Sequence, residues 1–131
     1  MSDAKQRKVI ATENGPKAIG PYSQAIRYGD LVFPAGQIAL DYKTGQLAEG
    51  SIEAQTRQVM ENLKAILEAA GSSLDRVLKT TVFMVNLDDF GKMNAIYGEY
   101  FTQAPPARST VQVAGLPRGA LVEIECVAAA E

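Results

Sequence analysis

The sequence predicts an α+β fold in which one mixed sheet carries two helices on a single face. Segments with strand-like alternation and segments with helical spacing follow one another in the order β-β-β-α-β-α-β-β. Two helices can cover only one face of a sheet, so the other face must be wet or covered by another copy of the chain. The last strand favours another copy, because its outward positions combine two carboxylates with Leu121 and Val127.

Length and composition fit one domain over residues 1–131. The chain is 47% apolar and 21% charged, which is typical of a globular protein, and its polar residues 1–8 predict a flexible tail. The net charge of −2 argues against nucleic acid as a partner, because a phosphate-backbone binder needs clustered lysine and arginine. Lys5, Arg7 and Lys8 form a basic patch that is too short for this role.

Rare and missing residue types narrow the chemistry further. The chain has no histidine, which excludes a Ser-His-Asp or Cys-His nucleophile and removes the commonest zinc ligand. Cys126 is the single cysteine, so no internal disulfide forms, and its strand position predicts a core thiol rather than a nucleophile. No apolar run reaches the length of a membrane span. We expect a cytoplasmic protein with no metal site, no cofactor and no membrane partner.

The N-terminal third predicts three strands and a stiff loop. The strands cover residues 9–12, 25–28 and 31–38, and the last two form a hairpin. Gly20-Pro21 makes a rigid loop that places Tyr22 directly after it. Pro34 and Gly36 remove a ladder donor and a side chain from the third strand, so this strand is irregular or something approaches its backbone closely.

Two helices follow from apolar stripes at helical spacing. The first covers residues 51–70, with Ser51 as its cap. A central strand over residues 76–86 leads to the second helix, over residues 89–102. Asn94 lies within the apolar stripe of the second helix, an unusual place for an amide.

The last two strands carry the side chains that suggest chemistry. Pro105-Pro106 ends the second helical segment and gives Arg108 a fixed approach. Alternation puts Arg108 and Thr110 on one face of their strand, and a final strand over residues 120–129 carries Glu123. We expect the two strands to pair antiparallel through a proline turn, with Arg108 and Glu123 both on the helix-free face.

Such a pair could bind and hydrolyse a small carboxylate. The planar guanidinium of Arg108 can hold a substrate carboxylate through two parallel hydrogen bonds. Glu123 can hold and deprotonate a water molecule. Tyr22 offers a phenolic donor, and Gly36 offers backbone groups that no side chain obstructs.

Each of these residues also has a simpler structural explanation. Arg108 and Glu123 can form a cross-strand ion pair, which spacing alone favours. Tyr22 can pack on a neighbouring loop, and Gly36 can relieve crowding at a bulge. Asn94 can be a satisfied interior amide. From the residues alone, the chain is a domain with a plausible anion site and no named reaction.

Five short motifs together resemble a known family. They stand in this order along the chain: Ile19-Gly20-Pro21-Tyr22-Ser23-Gln24, Gly36-Gln37-Ile38, Asn62-Leu63-Lys64, Pro106-Ala107-Arg108-Ser109 and Val122-Glu123-Ile124-Glu125. In this combination the chain resembles the reactive-intermediate deaminase family (RidA/YjgF) over about residues 9–129. The resemblance implies a chorismate-mutase-like fold and a homotrimer with three clefts between subunits. It also implies hydrolysis of 2-imino acids and their enamine tautomers, such as 2-iminobutanoate and 2-iminopropanoate, to 2-oxo acids and ammonia.

The resemblance also implies roles for individual residues. Arg108 would hold the substrate carboxylate, Glu123 would position the hydrolytic water, and Tyr22 would line the cleft. The backbone of Gly36 would contact the ligand, and Asn94 would lie near the pocket.

Two positions depart from the pattern of many relatives. Ala35 stands where many members carry serine, and Thr110 stands where some carry cysteine. Ala35 removes a hydroxyl contact from the site. Thr110 removes any thiol chemistry, which imine hydrolysis does not need.

Other functions compete with the deaminase hypothesis. A regulatory module could bind small carboxylates in the same cleft without turnover. A ribonuclease or translation-inhibitor role is sometimes attached to relatives, although the acidic balance and the lack of histidine argue against it. The sequence is silent on a chaperone-like holdase activity.

Overall fold

The computed structural model describes residues 5–48 and 50–130. These residues form a single mixed sheet with two helices, and the elements follow one another in the predicted order. The strands are β1 (Arg7–Ile10), β2 (Ala25–Tyr28), β3 (Leu31–Pro34), β4 (Val77–Met84), β5 (Ala107–Gln112) and β6 (Val122–Ala129). The helices are α1 (Ile52–Ala69) and α2 (Phe90–Tyr100). The predicted α+β class is confirmed.

The order of strands across the sheet differs from the expected one at a decisive point. The order is β1-β2-β3-β6-β4-β5, with β4 and β5 parallel and the other neighbouring pairs antiparallel. The expected antiparallel pairing of β5 with β6 is wrong, because β4 lies between them. Parallel neighbours need a crossover connection, and α2 supplies it between β4 and β5. β6 then pairs with the other side of β4.

Helix α1 has the predicted ends and the predicted buried stripe. The side chain of Ser51 accepts a hydrogen bond from the amide of Ala54 at 3.1 Å, and Gly71 follows the helix with a φ of 82°. Between these ends, five apolar side chains are at most 1% exposed: Val59, Met60, Leu63, Ile66 and Leu67. Helix α1 packs on α2, β3 and β6, so both helices lie on one side of the sheet.

The two faces of the sheet differ sharply. The helix-covered face contributes fully buried side chains: Val82, Met84, Val122 and Ile124. The helix-free face leaves large apolar side chains exposed: Tyr28, Leu31, Phe33 and Val111. Cys126 lies in the core as predicted, and burial raises the pKa of its thiol to about 12.

The first strand begins earlier than expected. β1 starts at Arg7, inside the segment for which the sequence predicts a tail, and pairs with β2. Residues 1–4 lie outside the described residues. Within the described part of the chain, neither helix has the length and apolar character needed to cross a bilayer.

Candidate functional site

Three of the predicted site residues meet at one hollow. Tyr22, Gly36 and Glu123 line it together with Lys17 and Pro117. Gly36 and Glu123 lie close together because the residues that follow them, Gln37 and Ile124, form an antiparallel backbone bridge. The amide of Gln37 donates to the carbonyl of Ile124 at 2.9 Å, and the amide of Ile124 donates back at 3.1 Å.

Gly36 is a glycine because the Glu123 side chain lies against its backbone. A Cβ atom added at Gly36 would overlap Oε2 of Glu123 and would lie 3.0 Å from its Cδ. A real Cβ atom tolerates no such approach, so any larger residue would displace the carboxylate. The suggestion that something approaches the backbone of the third strand is therefore confirmed.

The carboxyl group of Glu123 is half-buried and has a raised pKa. Burial is the main cause, and the negative charge of Glu125, two residues along the same face of β6, adds to it. A carboxylate with a raised pKa is a better proton acceptor than a fully solvated one. Glu123 is therefore suited to take a proton from a bound water.

The loop that carries Tyr22 is held by a buried amide. Gln24 is 7% exposed, and its Oε1 accepts from the amide of Thr12 at 2.7 Å while its Nε2 donates to the carbonyl of Pro16 at 2.7 Å. The hydroxyl of Tyr22, whose side chain is exposed, accepts from the amide of Ile19 at 3.1 Å. The predicted rigidity of this loop rests on Gln24 as well as on Pro21.

A second buried amide holds the other wall of the hollow. Asn62 of α1 donates from Nδ2 to the carbonyls of Ile38 and Leu40, at 3.2 Å and 2.9 Å. Ala35 is tied to its surroundings through its backbone, whose amide donates to the carbonyl of Gln24 at 2.8 Å. The sequence analysis included Gln24 and Asn62 only as members of motifs and missed that they hold the walls of the hollow. Their partners are backbone groups that come close to them only in the folded chain.

Arg108 lies elsewhere, on the helix-covered side of the sheet. Its Cζ atom lies 4.8 Å from the ring centroid of Tyr97 and 5.4 Å from that of Phe90, and both rings belong to α2. In residues 5–48 and 50–130, no Asp or Glu forms an ion pair with Arg108. Both the expected location on the helix-free face and the alternative of a cross-strand pair with Glu123 are wrong.

The register of the sheet explains why the two residues separate. Arg108 stands opposite Thr80, which is 1% exposed beneath α2, whereas Glu123 stands opposite Phe83. Thr80 and Phe83 are three positions apart on β4, so their side chains point to opposite faces. The alternation within β5 was predicted correctly, but the wrong face of that strand was assigned to the helices.

Two more predicted site residues lie with Arg108. Thr110 stands opposite Val82, whose side chain is fully buried under the helices, and so shares the side of Arg108. Asn94 lies on α2 between Phe90 and Tyr97, and its buried Oδ1 atom has no hydrogen-bond partner in the described part of the chain. Sequence reasoning missed the roles of Phe90 and Tyr97, although a seven-residue spacing puts both on one helix face.

The predicted site residues thus fall into two separate groups on the chain, which we name half-sites. The glutamate half-site contains Tyr22, Ala35, Gly36 and Glu123. The arginine half-site contains Asn94, Arg108 and Thr110. A mixed sheet has helices on one face, a half-buried carboxylate on the open face and an arginine that forms no ion pair with the residues described. These features together define a class of small α+β proteins suited to bind small anions.

Comparison with known proteins identifies the family. The family model described as Endoribonuclease L-PSP matches residues 12–130. A RutC family protein of Pyrococcus horikoshii is 57% identical over 122 residues, which cover 93% of this chain and 97% of that protein. A 2-iminobutanoate/2-iminopropanoate deaminase of Mus musculus is 48% identical over 122 residues, which cover 93% of this chain and 90% of that protein.

A solved structure gives the same family. The crystal structure of a protein of unknown function of the conserved Rid protein family, from Yersinia pestis, superposes with a TM-score of 0.92 at 49% identity and covers 95% of this chain and 99% of that chain. The chain belongs to this family, known as Rid or RutC and described by its model as endoribonuclease L-PSP. The resemblance read from the five motifs is confirmed.

Proposed function

We propose that the chain is an enamine/imine deaminase that hydrolyses 2-imino acids, such as 2-iminobutanoate and 2-iminopropanoate, to 2-oxo acids and ammonia. The observation that carries this proposal is the pairing of complementary chemistry in the two half-sites. Among the described residues Arg108 has no counter-ion, and Glu123 has a raised pKa beside a glycine whose missing side chain leaves room for that carboxylate. A relative at 48% identity bears the name of this activity.

The proposed reaction needs orientation and one proton acceptor. Arg108 holds the substrate carboxylate in a bidentate pair, whose charge-assisted hydrogen bonds contribute roughly 1.5–3 kcal/mol each. Glu123 takes a proton from water as the water oxygen bonds to the iminium carbon. Glu123 then returns this proton to the nitrogen of the carbinolamine, and the C–N bond breaks as the hydroxyl group loses its proton and becomes the carbonyl. One iminium ion and one water thus give one 2-oxo acid and one ammonium ion, and Glu123 is ionised again. An iminium carbon is already electrophilic, and the proposed steps use no covalent nucleophile and no cofactor.

The proposal requires the two half-sites to come from different copies of the chain. Arg108 and Glu123 lie on opposite faces of one sheet and cannot reach the same substrate within a chain. If the arginine half-site of each copy meets the glutamate half-site of the next, the contact is head-to-tail, and it gives a ring when the rotation between copies closes. The exposed apolar side chains of the helix-free face suit burial in such a contact. Three copies, as the resemblance implies, would give three clefts.

Mixing two inactive variants tests the reaction and the shared site together. We expect Arg108→Ala and Glu123→Gln each to lose acceleration of 2-iminobutanoate hydrolysis, with the imine generated in the assay by an amino-acid dehydratase. When the two variants are dissociated and reassembled in equal amounts, about a quarter of the contacts combine an intact Arg108 with an intact Glu123. Activity should therefore return to about that fraction of the wild-type value.

Wild-type protein taken through the same dissociation is the control. Full turnover by Arg108→Ala alone would disprove the proposed reaction. Two inactive variants that stay inactive after mixing, while treated wild type recovers, would disprove the shared site.

A ribonuclease activity is the second candidate, because the family model carries that description. The net charge of −2 and the lack of histidine disfavour it. Incubation with labelled single-stranded RNA at low salt distinguishes the two functions. Cleavage that survives Arg108→Ala and Glu123→Gln would indicate an activity separate from the proposed site.

A further inference from the structure

The Arg108 guanidinium rests in an aromatic cradle formed by Phe90 and Tyr97. The two rings lie two turns apart on α2, and Cζ of Arg108 lies over both of them. Arg108 is only partly buried, and Phe90 is 39% exposed, so the cradle opens at the protein surface. The cation is thus held at an accessible place without a counter-ion from the described residues.

The cradle is anchored in the core on the Tyr97 side. The hydroxyls of Tyr97 and Thr80 are hydrogen-bonded at 2.7 Å, and both residues are at most 5% exposed. Thr80 is the direct neighbour of Arg108 across the β4–β5 ladder. The Tyr97 ring also packs on Phe101, with the centroids 4.8 Å apart. These contacts fix the ring on which the guanidinium lies.

We propose that Phe90 and Tyr97 are positioning residues that set the affinity of Arg108 for a substrate carboxylate. A carboxylate partner inside the chain would compete with the substrate for the N–H donors of the guanidinium. An aromatic ring attracts the cation through its face and offers no carboxylate oxygen, so the donors stay available in the plane of the guanidinium. The inference rests on the proposed role of Arg108 and assigns the side chains that make this role possible.

A purely structural role for the two rings predicts a different behaviour. If Phe90 only packed α2 against the sheet, its truncation would lower stability and leave the affinity of the folded protein unchanged. If it holds Arg108, truncation weakens carboxylate binding in a folded protein of unchanged assembly. The ion pair between Arg108 and the substrate carboxylate is present in the ground state and in the transition state alike. Weakening it should therefore raise KM and leave kcat unchanged.

The experiment compares ring removal with ring retention. We measure the Kd for 2-oxobutanoate, a stable carboxylate probe, by calorimetry, and KM and kcat for 2-iminobutanoate. Phe90→Leu should raise both Kd and KM about fivefold, within the range for a partly exposed cation–π contact, with kcat within about twofold of wild type. Phe90→Tyr keeps the ring face and should stay within about twofold of wild type in Kd, KM and kcat.

Tyr42→Leu is the matched control, because Lys43 lies 5.7 Å from the centroid of the Tyr42 ring in a second cation–π pair that does not contact Arg108. Tyr42→Leu should leave Kd, KM and kcat at their wild-type values. Wild-type affinity in Phe90→Leu, while Arg108→Met loses 2-oxobutanoate binding, would overturn the cradle and leave the proposed site intact. The cradle would also be overturned if Phe90→Tyr and Phe90→Leu weakened the binding of 2-oxobutanoate equally. Ring-dependent binding in a protein without turnover would support the cradle and refute the deaminase proposal.

Discussion

The two half-sites are built in different ways. In the glutamate half-site, buried amides of Gln24 and Asn62 hold the backbone carbonyls of the surrounding loops. In the arginine half-site, aromatic side chains hold a cation at an edge strand. The difference matters because the carboxylate needs a tight, partly dry place to keep a raised pKa, whereas the cation needs a support that leaves its donors free.

This comparison predicts that damage to the two half-sites will have different consequences. An amide that is 2–7% exposed cannot be removed without leaving buried carbonyls unpaired, so the whole fold is weakened. The ring of Phe90, which is 39% exposed, can be removed with little loss of buried contacts. We therefore expect stability to depend on the glutamate half-site and carboxylate affinity to depend on the arginine half-site.

The largest effect should come from filling the space beside Glu123. In Gly36→Ala, the new Cβ would overlap Oε2 of Glu123 and force the carboxylate away from its place. We expect the rate of 2-iminobutanoate hydrolysis to fall by about 100-fold or more, the usual contribution of a positioned general base. The Kd for 2-oxobutanoate, which reports on Arg108, should change far less.

Gly98→Ala is the control for this substitution. Gly98 lies on α2, and a Cβ there would meet no atom within 4 Å. Alanine favours the helix, so this variant should keep full activity and a slightly higher stability. Equal activity of the two variants would show that the position of Glu123 does not limit the reaction.

The second effect is on stability and comes from Asn62→Ala. The substitution removes the donors for the carbonyls of Ile38 and Leu40 at a site that is 2% exposed. The carbonyl of Ile38 keeps the amide of Leu40 as a donor, at 2.8 Å, but the carbonyl of Leu40 loses its donor. The free energy of unfolding, measured by urea denaturation, should therefore fall by about 1–3 kcal/mol. Phe90→Leu should lower it by less than about 1 kcal/mol, because the ring is partly exposed.

An exposed asparagine provides the matched control. Asn86 accepts a hydrogen bond from the amide of Asp88 at 2.9 Å at the protein surface, and Asn86→Ala should cost about 1 kcal/mol or less. A Phe90→Leu variant less stable than Asn62→Ala would reverse the proposed division between the half-sites.

The sequence predicts most of the fold because local signals set it. The alternation of strands, the apolar stripes of both helices and the Ser51 cap act within a few residues, and each is observed. The contact between Gly36 and Glu123 was also foreseen in part, because a glycine in a strand indicates a close approach. No signal within a few residues specifies which strands become neighbours in the sheet, so the position of β4 between β5 and β6 was missed.

The face of Arg108 shows a second limit of sequence reasoning. Alternation says which residues share a face of β5 but not which face meets the helices, and at an edge strand the polar pattern is ambiguous. In the structure, Ser109 and Val111 are exposed while Arg108 lies against two rings. The guanidinium is partly exposed there and also gains favourable contact with two aromatic faces.

The smallest effect separates the two causes of the raised pKa of Glu123. Burial is the larger cause and the negative charge of Glu125 the smaller one. Without the charge of Glu125, as in Glu125→Gln, ionised Glu123 is less unfavourable, so the pKa of Glu123 should fall and remain above the ordinary value. Carboxyl carbon NMR titration of labelled glutamate measures this pKa directly, without interference from the spontaneous hydrolysis of imines in acid.

Salt provides the internal check on that assignment. Raising the ionic strength to about 0.5 M screens the exposed Glu125 and should lower the pKa of Glu123 in the wild type but hardly in Glu125→Gln. Burial is not screened, so the remaining shift should be the same in both proteins. A wild-type pKa that returns to the ordinary value in salt would show that Glu123 is not held in a dry place, and the contrast between the two half-sites would lose its basis.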